Sequence, residues 1–450
     1  MPRSSPRPTK SFGLVRLVMG LSMFTSGCAH AQAKSELSDA IEARSGAAID
    51  LERKPDDPPS LPPGVVLGDG LSRDEAVAIA LWNNPTLRVE LTRIDAAQAN
   101  LSGAKRPTNP SLRLLFPISA ASFAGLLTWP IETLATMPGR LALARNDLDA
   151  TRDQIVQTSL DLTRDVRLAH ADWSLAHERL SVLQELLAGR AEVLTIVEAQ
   201  AALGDLSQAE IETARAEAAI ANDERERAEG AVEIAEARLR TAIGFGLDEI
   251  DLTFAPEPLA ALPAAPLAAL ELDASEQRPD LHAAELSIAR AKTGLRLERA
   301  AMFNLAGVAQ LSGRALQAGV QFGLPIFDQN QAGRGRAKAE AEAAAWRQRA
   351  LRERIVGEVR EAHARFEQAL DSHQRYADEI VGSRERALAA SREAFELGER
   401  DFTSVLLAQQ SLDLARLRLV ELCADARRAH AELERALGGR LVGGKEPEQP

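Results

Sequence analysis

The two halves of the chain repeat each other, and this duplication limits the fold more than any other feature of the sequence. Pro279 lies 194 residues after Pro85, and Gly398 lies 194 residues after Gly204. We therefore predict two copies of one folding unit. The first copy covers residues 71–244, a Pro- and Ala-rich linker covers 245–274, and the second copy covers 275–438.

Each copy contains a long stretch without proline, between Pro138 and Pro256 and between Pro325 and Pro447. Proline breaks helix interiors, so its absence permits very long helices. A helix over Gly139–Leu203 would be about 97 Å long at ~1.5 Å per residue, too long for a globular domain. Apolar residues spaced by three and four predict coiled-coil packing, as in the series Leu162, Val166, Ala169, Trp173, Ala176, Leu180, Leu183 and Leu187.

Glycines interrupt both helical stretches at equivalent places, and they predict that each stretch folds back as an antiparallel hairpin with its tip near residue 204 or 398. The fold class is therefore mainly α with a small β part. The β part precedes each long helix, at about 109–131 and 303–327, where apolar residues alternate with small or polar ones.

The alternating segments fit transmembrane β-strands, because they are apolar on one face and aromatic at their ends. Four strands cannot close a membrane barrel, and an open edge in lipid would leave backbone groups without partners. Several copies must therefore share one barrel, although this argument does not fix their number. The candidate lipid-facing residues are Leu112, Leu114, Phe116, Phe303, Leu305, Leu311, Val320, Phe322 and Leu324.

The N-terminus has the layout of an export signal. A basic region and a short apolar run predict a signal peptide at residues 1–27, and Cys28 follows it as the acylated cysteine of a bacterial lipoprotein would. An ordinary cleaved signal with an incidental cysteine is the alternative, and either one exports the chain. Residues 28–70 are predicted to form a lipid-anchored, Pro-rich tether, and residues 439–450 a flexible tail.

Charge and composition argue against several other functions. The net charge of −12 disfavours a nucleic-acid partner. The seven histidines lack metal-ligand spacing, and no phosphate loop or nucleophile motif occurs. His363 repeats His170 in the second copy, which favours helix packing. We therefore expect no enzyme activity, no cofactor and no metal site, while the acidic balance favours cations in an aqueous duct.

Two motifs lie in register with the repeat, one at Leu324–Gly333 where the last strand enters a helix and one at Gly398–Ala408 at the second tip. With the duplication and the tip glycines, they make the chain similar to the TolC-like outer-membrane factors over nearly all of its mature length. The segment Phe327–Gln331 most resembles the CzcC-type branch, which serves heavy-metal-cation efflux.

The resemblance implies a homotrimer in the bacterial outer membrane, with a shared 12-stranded β-barrel in lipid, a long periplasmic α-barrel and an equatorial belt formed by the linker and tail segments. It also implies a periplasmic adaptor, or membrane fusion protein, and an inner-membrane pump of the proton-driven RND type as partners. The implied adaptor-docking tips are Gly204, Asp205, Leu206, Ser207, Gly398, Glu399, Arg400 and Asp401.

Some family members line the aperture with paired aspartates, but Ser404 and Leu407 stand at the matching positions here. Asp205, Glu399 and Asp401 are the acidic candidates nearest the aperture. The function implied is a passive exit duct of a tripartite efflux pump. Multidrug efflux, type I protein secretion and a structural coiled-coil lipoprotein are the alternatives, of which the last leaves the alternating hairpins unexplained.

Overall fold

The fold is mainly helical with one small antiparallel sheet, as the sequence predicted. The computed structural model describes residues 34–116, 123–203, 206–245, 252–300, 305–312 and 315–440. The first half contains α1 (34–45), α2 (Arg73–Asn83), α3 (Pro85–Ala104), β1 (Ser111–Leu115), β2 (Ala124–Trp129), α4 (Glu132–Leu203) and α5 (Gln208–Ile243). The second contains α6 (Leu267–Gln277), α7 (Pro279–Ala300), β3 (Ala306–Ser312), β4 (Ala315–Gln321), α8 (Gln331–Arg375), α9 (Val381–Glu396) and α10 (Phe402–Leu437).

The chain forms two compact units, and each takes pieces from both repeats. We call them the sheet unit (Met1–Ala40, Val89–Val156 and Pro279–Leu351) and the helical unit (Ile41–Arg88, Gln157–Arg278 and Arg352–Pro450). No helix in the described part of the chain is long and apolar enough to cross a membrane.

The four strands form one sheet in the order β1-β2-β3-β4, with every neighbouring pair antiparallel. The two repeats meet where β2 pairs with β3, so β1 and β4 are the edges. The strands have five to seven residues and lie within the two hairpin segments predicted from alternation. Pro110 precedes β1 and Pro130 follows β2, and proline offers no backbone donor to continue the ladder.

The first strand-to-helix junction depends on Glu132. Its backbone N–H donates to the carbonyl of Leu305, and its carboxylate accepts from the backbone N–H of Leu305, both at 3.0 Å. Helix α4 begins here, so it contains Pro138 instead of starting at Gly139 as the sequence suggested. The proline lies in the second turn, where Arg140 donates to the carbonyl of Thr133 at 2.8 Å.

The second junction uses the motif that most resembles the CzcC-type branch. Asn330 has φ 58°, which is uncommon for a residue other than glycine. Its side-chain amide donates to the carbonyl of Glu298 at 2.9 Å and to the carboxylate of Glu298 at 2.7 Å. A Cβ at Gly333 would lie 2.2 Å from the Asn330 side-chain oxygen, so only glycine fits there without a shift. The motif therefore has a structural role at the start of α8.

The helical unit contains the coiled-coil core that the spacing predicted. Val166, Trp173, Ile355, Val359 and Phe366 are fully or almost fully buried. Helix α4 is continuous over 72 residues, whereas the equivalent stretch in the second repeat changes to a π-helix at Tyr376–Ile380, between α8 and α9. A π-helix has more residues per turn than an α-helix, so it rotates the face that the following residues present. The heptad pattern did not indicate this irregularity.

Two segments are more ordered than the sequence suggested. Residues 34–45 of the tether are helical, because Leu37 and Ile41 supply apolar side chains that are fully buried. The start of the tail is also fixed, since the backbone N–H of Arg440 donates to the carbonyl of Arg44 at 2.7 Å and its guanidinium donates to Asp74 at 2.8 Å. The predicted signal peptide, Cys28 and residues 441–450 lie outside the described residues.

Candidate functional site

The register of the sheet sorts its residues onto two chemically different faces. Residues directly paired across antiparallel strands point to the same side. Leu112 pairs with Leu127, Leu127 with Ala309, and Ala309 with Ala318, so an apolar row crosses all four strands. The side chains on this side include Leu112, Leu114, Leu127, Trp129, Ala309, Leu311, Leu316, Ala318 and Val320. We call this the apolar face.

The opposite side is more polar than the apolar face, and we call it the polar face. It carries Ser111, Arg113, Thr128, Gln310, Ser312, Gln317 and Gln321, together with small or aliphatic residues such as Ala124 and Leu126. Strands of this kind separate two environments, as in a barrel with lipid outside and water inside.

Within the part of the chain that the structure describes, the large side chains of the apolar face are mostly uncovered. Leu112 is 63 % exposed, Leu316 74 % and Val320 61 %. Trp129 ends β2, and its indole N–H donates to the carbonyl of Thr108 at 3.1 Å. An aromatic ring at a strand end, with its polar atom paired, is typical of the edge of a membrane-spanning band.

The structure places four of the predicted lipid-facing residues, Leu112, Leu114, Leu311 and Val320, in strands and on this one face. Four others are in the flanking chain, because Leu305 precedes β3, Phe116 follows β1, and Phe322 and Leu324 follow β4. Phe116 and Phe322 are exposed, at 73 % and 57 %, and Phe116 packs against Phe123 with ring centroids 5.7 Å apart. Phe303 lies outside the described residues.

The structure brings the ends of the two helical hairpins together. Val197 of α4, Ala214 of α5, Phe395 of α9 and Phe402 of α10 belong to one buried cluster. The rings of Phe395 and Phe402 lie 6.1 Å apart, and Leu206 packs partly buried against the cluster. Sequence reasoning named the turn residues but missed these aromatic side chains, which flank the second turn.

The described residues of the first tip form a helix cap. Ser207 and Glu210 make a capping box at the start of α5, in which the Ser207 hydroxyl accepts from the backbone N–H of Glu210 and the Glu210 carboxylate accepts from that of Ser207. These hydrogen bonds to Ser207 lower the pKa of the exposed Glu210 carboxyl. Gly204 and Asp205 lie outside the described residues.

The second tip turns at Gly398, whose φ of 71° favours glycine. Asp401 caps α10 by accepting from the backbone N–H of Ser404 at 3.2 Å. Glu399, Arg400 and Asp401 are all exposed and so present charge at the tip. Ser404 is half-buried and Leu407 is 61 % exposed.

Two histidines of the helical unit, His170 and His177, pack against aromatic rings. His170 contacts the carbonyl of Leu71 through Nε2 at 3.0 Å, and its ring lies 5.7 Å from that of Trp173. Burial lowers the pKa of His170, and the hydrogen bond to Leu71 only partly opposes this. His177 stacks on Phe254 with centroids 4.8 Å apart. Among the described residues, no group of three or more His, Cys, Asp or Glu is placed to hold a metal ion.

A buried ion pair joins α4 to α10 and had no signal in the sequence. Arg167 and Glu434 contact each other with side chains only 3 % and 5 % exposed. Arg167 also reaches Asp74 at 3.3 Å. Burial alone would raise the pKa of Asp74, but Arg73, Arg167 and Arg440 together lower it. These contacts lie beside predicted apolar heptad positions, where the spacing alone does not reveal a buried charge.

Known proteins share this architecture over most of the chain. The cobalt-zinc-cadmium resistance protein CzcC of Cupriavidus metallidurans is 24 % identical over 382 residues, which cover 82 % of this chain and 90 % of that protein. The outer-membrane channel OprN has a TM-score of 0.71 at 18 % identity, covering 86 % of this chain and 98 % of that one. CusC, described through its transmembrane channel formation, has a TM-score of 0.70 at 19 % identity, with 86 % and 98 % covered.

The family relationship extends through both repeats. The sequence profile of the outer membrane efflux protein family matches residues 76–245 and 272–439, one segment in each half of the chain. The relatives are outer-membrane efflux channels, which are not enzymes. The chain therefore belongs to the outer membrane efflux protein family, the TolC-like outer-membrane factors, and is an outer-membrane efflux channel protein.

Proposed function

We propose that three copies of this chain close one 12-stranded β-barrel and form the passive exit duct of a tripartite efflux pump. The observation that carries the proposal is a four-stranded sheet with two edges and a mostly uncovered apolar face. In lipid, the backbone groups of β1 and β4 need partners, and a second copy supplies them when its β4 pairs with β1 of the first. Three copies bring twelve strands, which is within the range of known barrels.

The helical hairpins extend the duct into the periplasm, and their tips dock the adaptor. The shared cluster of Val197, Ala214, Phe395 and Phe402 supports this, because it packs α4, α5, α9 and α10 together near the ends of both hairpins. The exposed charges of Glu399, Arg400 and Asp401 offer polar contacts to an adaptor hairpin. An inner-membrane pump of the proton-driven RND type supplies the energy, and acylation of Cys28 anchors the chain to the outer membrane.

Heavy-metal cations are the proposed substrates. The support is the likeness to CzcC, whose name gives cobalt, zinc and cadmium resistance, over 82 % of this chain. The duct itself selects weakly, so the pump and adaptor make the choice. Deleting the gene should raise cell-associated zinc and leave the retention of a lipophilic dye unchanged; the opposite pattern would contradict the metal assignment.

The decisive experiment on the channel combines oligomer mass with conductance. The full-length protein, purified in detergent, should have the mass of a trimer by light scattering and should form discrete pores in planar bilayers. Monomers without conductance would overturn the proposal.

Adaptor docking is tested separately at the second tip. Arg400→Glu should reduce efflux and adaptor cross-linking while leaving trimer mass and conductance unchanged. Arg384→Glu is the matched control, because it reverses an exposed arginine within α9 rather than at the turn. Equal loss of efflux in both variants would contradict a docking role for the tip.

A further inference from the structure

The strand segments carry no acidic residue, although the whole chain has a net charge of −12. The sequence contains no Asp or Glu between Arg106 and Glu132, nor between Arg299 and Asp328. Within the four described strands, Arg113 is the single charged side chain. The acidic surplus therefore belongs to other parts of the chain, and the strand segments are purely basic.

Arg113 lies at the middle of β1 and on the polar face. Its row across the sheet runs through Leu126, Gln310 and Gln317, which are all uncharged. The neighbours of Arg113 along the strand, Leu112 and Leu114, are on the apolar face. A barrel that turns its apolar face to lipid therefore turns Arg113 inward, together with the glutamines.

We propose that Arg113 sets the ion preference of the barrel, because three copies form a ring of positive charge in the lumen that attracts small anions and repels small cations. The inference rests on the proposed trimeric barrel, since one chain supplies only one arginine of the ring. It separates two effects that net charge alone combines, because the acidic residues and Arg113 lie in different segments of the chain.

Electrostatics gives the expected size of the effect. Arg113 is exposed, and the strand segments contain no carboxylate to neutralise it. Three unit charges about 10 Å from a passing ion, in water at about 0.1 M salt, correspond to roughly a two- to eightfold change in the anion-to-cation permeability ratio. The effect should fade at about 1 M salt, where the Debye length is about 3 Å.

The test is the reversal potential of the reconstituted trimer under a gradient of potassium chloride. Arg113→Gln should lower the chloride-to-potassium permeability ratio, and Arg113→Glu should lower it further. Arg113→Lys keeps the charge and should retain the ratio of the unmodified protein. Lys338→Gln is the control, because it removes one exposed positive charge from α8 rather than from a strand.

The outcomes separate this inference from the proposed function. The absence of trimers and pores in the unmodified protein would overturn both. Pores whose permeability ratio is the same in the Gln, Glu and Lys variants would overturn the role of Arg113, while the proposed channel function would remain supported. If Arg113→Glu does not assemble, the comparison of Arg113→Gln with Arg113→Lys still tests the role of Arg113 in ion preference, since neither variant introduces a negative charge.

Discussion

The strands of the sheet unit place one charged side chain among neutral ones, whereas the helical unit buries several charges in its core. In the described strands that side chain is Arg113, and it is exposed. In the helical unit Arg167, Glu434 and Asp413 are buried, with exposures of 3 %, 4 % and 4 %. The apolar side chains show the reverse pattern, because those of the strands are exposed and those of the helices form the core.

Under the proposed function, this difference follows from the medium that each region meets. Helices in water associate by burying apolar stripes, and buried ion pairs then favour one alignment over others. Strands that face lipid keep apolar side chains outward and need no charge there. The same chain therefore follows two opposite rules for placing polar groups, and each rule can be tested by substitution.

The largest effect is expected where a buried charge loses its partner. Glu434→Ala leaves the Arg167 guanidinium buried, with Asp74 at 3.3 Å as its nearest remaining carboxylate. A buried charge without any partner costs about 3–5 kcal/mol, and Asp74 offsets part of that cost. Thermal unfolding of the detergent-solubilised protein should therefore move to a lower temperature, by less than the loss of every partner would cause.

A control for this prediction is Glu198→Ala, which breaks an exposed pair. Glu198 and Arg215 are 47 % and 52 % exposed, so solvent screens the pair and its loss should hardly move the unfolding temperature. Equal shifts of the unfolding temperature in the two variants would mean that the helical core does not depend on its buried charges.

The next largest effect compares two adjacent leucines of β2. Leu127 is on the apolar face and Leu126 on the polar face. Lysine at a lipid-facing strand position costs about 2–4 kcal/mol near the bilayer midplane, so Leu127→Lys should reduce the amount of trimer recovered from outer membranes. Leu126→Lys makes the same change on the other face, where water can solvate the charge but the cross-strand Arg113 repels it, so it should reduce trimer recovery much less than Leu127→Lys. The opposite order would reverse the assignment of the two faces.

The sequence predicted the features that depend on periodicity. Spacing by three and four identified Val166 and Trp173 as core residues, and both have no exposed surface. Alternation identified the faces of Leu112 and Val320 because a strand has a period of two. Both patterns are local, so they can be recognised without knowing which element each segment packs against.

The features that the sequence did not predict depend on contacts between distant segments. Arg167 and Glu434 are separated by 267 residues, and neither has a local signal for burial. Residues 34–45 looked like part of a polar tether because only two of their side chains, Leu37 and Ile41, are fully buried. The tip cluster was missed for the same reason, since it draws Val197, Phe395 and Phe402 from three helices.

A smaller effect is expected on acidification of the helical core. Burial lowers the pKa of His430 below 6.5; Arg73 and Arg167 contribute in the same direction, and Glu434 and Asp74 oppose them. The unfolded chain therefore binds the proton more readily than the folded protein. The free energy of unfolding should fall as the pH drops below 6.5 and level off below the folded pKa, by about 1.4 kcal/mol for each unit of difference.

His430→Gln removes this titration. The variant should show a weaker dependence of the melting temperature on pH between about 7 and 5 than the unmodified protein, because one group that binds its proton preferentially in the unfolded chain is gone. An unchanged slope would show that His430 titrates alike in the folded and unfolded chain.

The smallest effect is expected at the first tip. Ser207→Ala removes the hydroxyl that accepts from the backbone N–H of Glu210, and the loss of such a cap costs about 0.5–2 kcal/mol. Because the loss is local, amide exchange should accelerate in the first turn of α5 and stay unchanged in β2. Ser207→Gly is the matched control, since glycine at this position costs only a few tenths of a kcal/mol. Faster exchange that extended into the strands would show that the tip and the sheet unfold together. The two units would then differ in where they place charged and apolar side chains, but not in their stability.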